Sequence, residues 1–203
     1  GMGRRQTADD ALHAHSMDHA GESRSETTDV TGIESMPQHE SLSFDYAKRR
    51  FAGVGEAWPS ELLEKQQPNT DVRSAEASLL ISDQCPSSLR CVAFKGENKT
   101  VLAERRTIRG SVLQQFDQGM RFLDAHNMEN RWPQSALRES LVNAIEHRDY
   151  SYSGPTVINI FTTRIQIISL GDLVGDLEVN DLLNGVCQPR NELLAGIFET
   201  LGL

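Results

Sequence analysis

Residues 133–154 read PQSALRESLVNAIEHRDYSYSG, and this segment carries the clearest helical pattern in the chain. A helix is predicted from Gln134 to about His147. At 100° per residue its packing side is apolar and consists of Leu137, Leu141, Ala144 and Ile145. Its other side is polar and consists of Glu139, Asn143, Glu146 and His147. The pattern predicts an amphipathic helix with one packed face and one face free for chemistry.

Glu139 and Asn143 lie four residues apart on the polar face. An amide oxygen beside a carboxylate suits a magnesium phosphate site, because Mg²⁺ takes oxygen ligands and a carboxylate can orient or deprotonate water. The alternative is an ordinary solvated helix face, and the common spacing Glu-x-x-x-Asn by itself favours that alternative. The surrounding sequence is therefore needed to choose between them.

Three further segments accompany the helix: SDQCP from Ser82, VINIFTTRIQIISLGDLV from Val157, and GVCQPRNELLAGIFETLGL from Gly185. Together with the helix they resemble the histidine-kinase-like (GHKL) ATP-binding domain of bacterial transcriptional regulators. Those proteins usually carry a Schlafen-type AlbA domain upstream and are sometimes labelled RecG-like helicases. The resemblance covers about half of the chain. It implies a module that binds ATP and Mg²⁺ and controls DNA binding by regions outside this chain.

The resemblance also assigns roles to residues. The helix corresponds to the superfamily's N box, so Asn143 would be the magnesium ligand and Glu139 the base that activates water. His147 and Asp149 are further nucleotide-binding candidates at the end of the helix. Where the superfamily carries Asp-x-Gly-x-Gly, this chain has Ser169 to Leu173, so Ser169 and Gly171 are the expected nucleotide contacts. A serine hydroxyl accepts a hydrogen bond without the charge of the usual adenine-reading carboxylate.

Three classes of function stay open. The first is a regulatory nucleotide-binding module. The second is a nucleotide-free interaction or dimerisation domain, including a homodimer, which the altered segment from Ser169 to Leu173 favours. The third is a weak ATPase, which requires a lid that controls water at the phosphate. In the family the lid is expected after Leu203, so the resemblance describes a C-terminally truncated domain.

Two roles are also open for Asp149. It could contact the nucleotide, or it could form a helix-end ion pair with Arg148 that only fixes the turn from Ser151 to Gly154. Arg148 is expected to project towards the packed side of the helix. We hypothesise that Asp149 orients Arg148 and that this pair fixes the loop entering Val157.

Net charge and cysteine content indicate which partners and which cellular compartment to expect. A net charge of −9 argues against a broad DNA-binding surface, because such surfaces neutralise phosphates with basic residues. The three cysteines, Cys85, Cys91 and Cys187, are an odd number without Cys-x-x-Cys spacing, which favours buried free thiols in a reducing, cytoplasmic compartment. No apolar run approaches the roughly 18 residues of a membrane span.

Other helices are predicted from their end signals. One follows Ser43, a suitable N-cap. A second runs from Ser111, which opens a capping box, to near His126. A third lies between Asn191 and Gly202, which supply its start and stop signals. Residues 1–41 have no apolar periodicity and are predicted to be a disordered tail.

Short β-rich runs predict strands in two groups. Ala77 to Ser82, Leu89 to Lys95 and Asn98 to Arg105 predict a small antiparallel sheet, and Val157 to Phe161 with Arg164 to Ser169 predict a hairpin. The predicted fold class is α+β, in which a small antiparallel sheet with helices is followed by a GHKL-like helix-on-sheet layer. The expected domains are a small α/β segment over 42–127 and a partial ATP-binding domain over 131–203.

Overall fold

The computed structural model describes residues 41–65, 70–170, 175–177 and 190–203, with the backbone alone for 175–177. Six α-helices lie in these ranges: α1 Asp45–Val54, α2 Ser60–Leu63, α3 Val72–Ile81, α4 Val112–His126, α5 Gln134–Glu146 and α6 Glu192–Thr200. The strands are β1 Leu89–Phe94, β2 Leu102–Ile108, β3 Thr156–Ile160, β4 Ile165–Ile168 and β5 Gly175–Leu177. The mixed α+β fold class is confirmed. Each helix in the described ranges is too short or too polar to cross a bilayer.

The strands form one sheet in the order β2-β1-β3-β4-β5. β1 and β3 run parallel, with Leu89 beside Thr156 and Ala93 beside Ile160. The other neighbours are antiparallel. The two groups of strands expected from sequence therefore belong to a single sheet, which the described parts of 42–127 and 131–203 build together. The predicted tail lies, except for Ser41, outside the described residues.

One face of the sheet forms the core with α4 and α5. Alternate strand residues point to that face because side chains alternate along a strand: Leu89, Cys91, Ala93, Ile158, Ile160, Ile165 and Ile167. The predicted apolar side of α5 meets them, and Leu137, Leu141 and Ile145 are at most 3% exposed. Each such side chain contributes on the order of 1.5–3 kcal/mol when it is fully buried. Cys85 and Cys91 are buried free thiols, as predicted.

Most predicted helix ends are confirmed. α5 ends one residue before the predicted limit, Ser111 caps α4 through Leu113, and Asn191 caps α6 through Leu194. α1 differs from the prediction. The residue at its N-cap position is Phe44 instead of Ser43, and its first backbone N–H groups are bonded by a side chain far along the sequence. The Asp83 carboxylate accepts hydrogen bonds from the backbone N–H of Asp45 at 2.7 Å and of Tyr46 at 3.2 Å.

The predicted strand from Ala77 to Ser82 is wrong, because all but its last residue belong to α3. The Asp71 side chain caps this helix by accepting from the backbone N–H groups of Arg73 and Ser74. The same apolar run buries Ala77, Leu80 and Ile81 at helical spacing. Short apolar runs fit both periods, so periodicity alone could not separate a strand from a buried helix here.

Gly119 of α4 faces Leu89 of β1 and Leu141 of α5. A Cβ at this position would come within 2.6 Å of Leu89 Cδ2 and 3.0 Å of Leu141 Cδ2. In contrast, a Cβ on Gly196 of α6 would meet nothing within 4 Å. Gly119 and Gly196 therefore differ in packing while sharing the same low helix propensity.

We predict that Gly119→Ala destabilises the protein and Gly196→Ala stabilises it. At Gly119 an overpacking cost of about 1–3 kcal/mol opposes a propensity gain of about 1 kcal/mol, whereas at Gly196 only the gain remains. Urea unfolding of both variants measures the two free energies of unfolding. Equal stabilisation by the two substitutions would show that α4 has room against the sheet.

Candidate functional site

Glu139 and Asn143 are exposed on one face of α5. One helical turn separates them, which places their Cβ atoms about 5–6 Å apart. Neither side chain forms a hydrogen bond or an ion pair with any residue that the structure describes. Because packing does not use them, both oxygen-bearing groups are available to a ligand.

His147 does not share that exposed face, contrary to the prediction. It is 9% exposed, and its backbone N–H donates to the carbonyl of Asn143 at 3.0 Å, which ends α5. The neighbouring Glu146 is half-buried, and this burial raises the pKa of its carboxyl above the ordinary value, with His147 acting in the opposite direction. The polar side of α5 is thus exposed at Glu139 and Asn143, half-buried at Glu146 and buried at His147.

Ser169 follows β4 and lies against the last turns of α5. Its hydroxyl donates to the carbonyl of Ala144 at 2.7 Å, and the residue is 7% exposed. The structure therefore brings Ser169 next to the turn that carries Asn143. An adenine contact by Ser169 would have to use the lone pairs of the hydroxyl, because its hydrogen is already donated. The other predicted contact of this segment, Gly171, lies outside the described residues.

Asp149 contacts residues from two separate parts of the chain. Its backbone N–H donates to the carbonyl of Leu170 at 3.0 Å, and its carboxylate accepts from Arg190 Nη1 at 3.1 Å. The carboxylate also accepts from the backbone and hydroxyl of Ser151. These hydrogen bonds from Ser151, and then Arg190, hold the pKa of Asp149 below its ordinary value. Asp149 thus brings Leu170 and Arg190 together.

Arg148 is buried, as predicted, and it fixes the loop that leads into β3. Its guanidinium donates from Nη1 to Thr156 Oγ1 at 3.1 Å and from Nη2 to the carbonyls of Gly154 at 2.6 Å and Tyr152 at 3.2 Å. It also lies over the ring of Tyr150, with Cζ 5.3 Å from the ring centroid. Burial lowers the pKa of Arg148 from its ordinary value.

The hypothesis that Asp149 orients Arg148 is wrong. Among the described residues the ion pair of Asp149 is with Arg190, whereas Arg148 is 3% exposed and has no carboxylate partner. Arg148 projects from the packed side of the helix end, so the two side chains serve different contacts. Arg190 is the residue that sequence reasoning missed, because nothing local connects it to a carboxylate 41 positions earlier.

A family model matches the C-terminal part of the chain. Residues 154–203 match a family model described as "Putative ATP-dependent DNA helicase recG C-terminal". The matched region includes Ser169 and begins after α5. No curated protein matches the chain. The chain thus contains a region similar to this ATPase-related family.

Among solved structures, the chain is similar to the DIP2311 protein from Corynebacterium diphtheriae. The TM-score is 0.58 with 23% sequence identity, over 78% of this chain and 30% of that chain. At this identity the similarity shows a shared fold. The chain spans less than a third of that protein's length.

We predict a measurable coupling between Asp149 and Arg190. A double-mutant cycle with Asp149→Ala and Arg190→Ala should give about 0.2–1 kcal/mol, because the pair is partly exposed. The stabilisation by Asp149 should be present above its unfolded pKa of about 3.9 and be lost as the pH falls through the lower folded value. Urea unfolding at pH 7 and pH 3 measures both effects, and additive single changes at pH 7 would contradict the ion pair.

We also predict that Arg148→Ala destabilises the protein by about 2–4 kcal/mol, because it removes three hydrogen bonds and the buried stem of the side chain. The control is Arg109→Ala, an exposed arginine, which should change stability by less than about 0.5 kcal/mol. Thermal unfolding of both variants tests this. Equal melting temperatures for the two would show that Arg148 does not hold the loop.

Proposed function

We propose that this chain is a regulatory nucleotide-binding module that takes ATP with Mg²⁺, as part of a transcription regulator. The observation that supports this most directly is the pair Glu139 and Asn143, exposed and without internal partners on one face of α5. The apolar side of the helix is explained by packing, whereas these two residues face away from the core. The similarity of residues 154–203 to an ATPase-related family supports the same conclusion.

The donor set at α5 fits magnesium rather than a softer metal. Mg²⁺ prefers oxygen ligands and usually keeps several waters, so one or two protein oxygens together with the phosphates are enough. Asn143 would hold the ion through its amide oxygen. Glu139 would hold a water through its carboxylate without touching the metal. The bound ion would neutralise phosphate charge at this face.

DNA contacts belong to regions outside this chain in this proposal. The net charge of −9 provides no broad basic surface, and phosphate contacts dominate non-specific DNA affinity. Nucleotide binding would then act on DNA binding through the longer protein. A cytoplasmic location fits such a regulator and fits the buried free thiols of Cys85 and Cys91.

A nucleotide-free interaction or dimerisation domain is the second candidate. Two expected nucleotide contacts are already used inside the protein, since the Ser169 hydroxyl donates to Ala144 and the Asp149 carboxylate accepts from Arg190. A residue that completes internal bonds has less capacity for a ligand. A weak ATPase ranks third, because hydrolysis also requires closure over the phosphate.

The two leading candidates are separated by calorimetric titration of ATP with and without Mg²⁺. We predict that Asn143→Ala lowers magnesium-dependent affinity by at least about tenfold, because a metal ligand is lost. Glu139→Gln should leave affinity nearly unchanged, because its carboxylate holds only water in this arrangement. Neither substitution should lower the melting temperature much, since both residues are exposed.

Ser135→Ala is the matched control, an exposed change on the same helix. If the wild type shows no magnesium-dependent binding, or if Asn143→Ala unfolds the protein, the nucleotide-free domain becomes the better proposal.

A further inference from the structure

A concave site lies at the end of the sheet opposite to Asn143. It is formed by the carboxyl ends of the parallel strands β1 and β3, at Phe94 and Phe161, and by the link between α4 and α5. Its volume is about 310 Å³, at the lower end of the range for small-molecule sites. α5 runs from this end towards Asn143, and no predicted nucleotide contact lines the cleft. We refer to it as the β1/β3 cleft.

Three residues that line the β1/β3 cleft are aromatic: Phe94, Trp132 and Phe161. The rings of Phe94 and Phe161 are stacked, with centroids 5.0 Å apart and planes at 12°. Trp132 is fixed at its backbone by Asn127, whose side chain donates to the Trp132 carbonyl at 2.8 Å and accepts from its N–H at 3.1 Å. These preformed surfaces suit a flat apolar ligand, because little side-chain freedom is lost on binding.

Arg131 provides a positioned cation at the cleft. Its Nη1 donates to the carbonyl of Thr162 at 2.5 Å, and its Cζ lies 5.7 Å from the centroid of the Trp132 ring. The remaining guanidinium N–H groups have no partner among the described residues. A guanidinium with free donors recognises carboxylates well, because two N–H groups can bind two oxygens.

The other charged groups of the cleft are less suited to recognition. His126 is hydrogen-bonded to Glu104, with Nε2 and Oε2 3.0 Å apart, so this ring nitrogen already has a partner. Glu129 is exposed, and no contact with a described residue positions its carboxylate. Arg131 is therefore the one lining charge that the described contacts both position and leave able to bind.

The backbone next to Arg131 is strained. Glu129 and Asn130 have φ values of 58° and 49°, and both are non-glycine residues in the left-handed region. Asparagine tolerates this conformation but glutamate seldom adopts it. Such strain persists where the surroundings demand it, and it is concentrated at functional sites. Here it lies directly before the two residues, Arg131 and Trp132, that supply the charge and the ring.

We propose that the β1/β3 cleft binds a small aromatic carboxylate, with its ring against Phe94 and Trp132 and its carboxylate at Arg131. The volume accommodates one or two fused rings. The site is independent of the nucleotide site at Asn143. Its ligand is chosen by ring shape and by negative charge together.

The test is a titration followed by NMR of the two tryptophan indole N–H signals. Trp58 packs against Phe44 and Phe51, away from the cleft, so its signal is an internal control, and Trp58→Phe assigns the pair. The probes share one ring system and differ in charge: 2-naphthoate, 2-naphthylmethanol and 2-naphthylmethylammonium. We expect 2-naphthoate to shift the Trp132 signal saturably, with at least tenfold higher affinity than the alcohol.

Arg131→Gln should reduce the affinity for 2-naphthoate to that of the alcohol, whereas the exposed Arg109→Gln should leave it unchanged. An unmoved Trp132 signal would show that the cleft binds none of these ligands. Equal affinities for the three probes would show only an apolar surface, and preference for the ammonium would assign recognition to Glu129. Each of these results would overturn the proposal. A retained indole spectrum confirms that Arg131→Gln is folded.

Discussion

The parallel pairing of β1 with β3 is the interaction on which the rest of the structure depends. Parallel neighbours require a long crossover, and here the chain between them supplies β2, α4 and α5 before it returns. The crossover helices cover one face of the sheet and close the core. Because β1 and β3 point the same way, their carboxyl ends meet at one edge, and the β1/β3 cleft lies there.

The same pairing also determines where the chain enters β3, at the opposite end of the sheet. α5 must return to β3 through the short loop after Glu146, and the buried Arg148 holds that loop through the carbonyls of Tyr152 and Gly154. A buried cation is costly, so its three hydrogen bonds and the Tyr150 ring are needed to retain it. At the same end of α5, the Ser169 hydroxyl donates to the carbonyl of Ala144, one residue from Asn143.

The proposed nucleotide face combines residues of two kinds. Glu139 and Asn143 are exposed, and their side chains form no hydrogen bond or ion pair with a described residue. In contrast, Ser169 and Asp149 form hydrogen bonds that hold the fold. A ligand could therefore bind at α5 without opening the core. Engaging Asp149 would compete with Arg190, so ligand binding there and the position of α6 would be linked.

The sequence by itself determined the elements whose signals are local. The apolar side of α5, the Ser111 cap of α4 and the Asn191 cap of α6 follow from spacings of two to four residues. Tertiary structure alone decided that the two predicted groups of strands share one sheet, and that Asp149 pairs with Arg190 rather than Arg148. These outcomes depend on partners dozens of residues away. Contact energies select such partners, and they produce no periodic pattern in a single sequence.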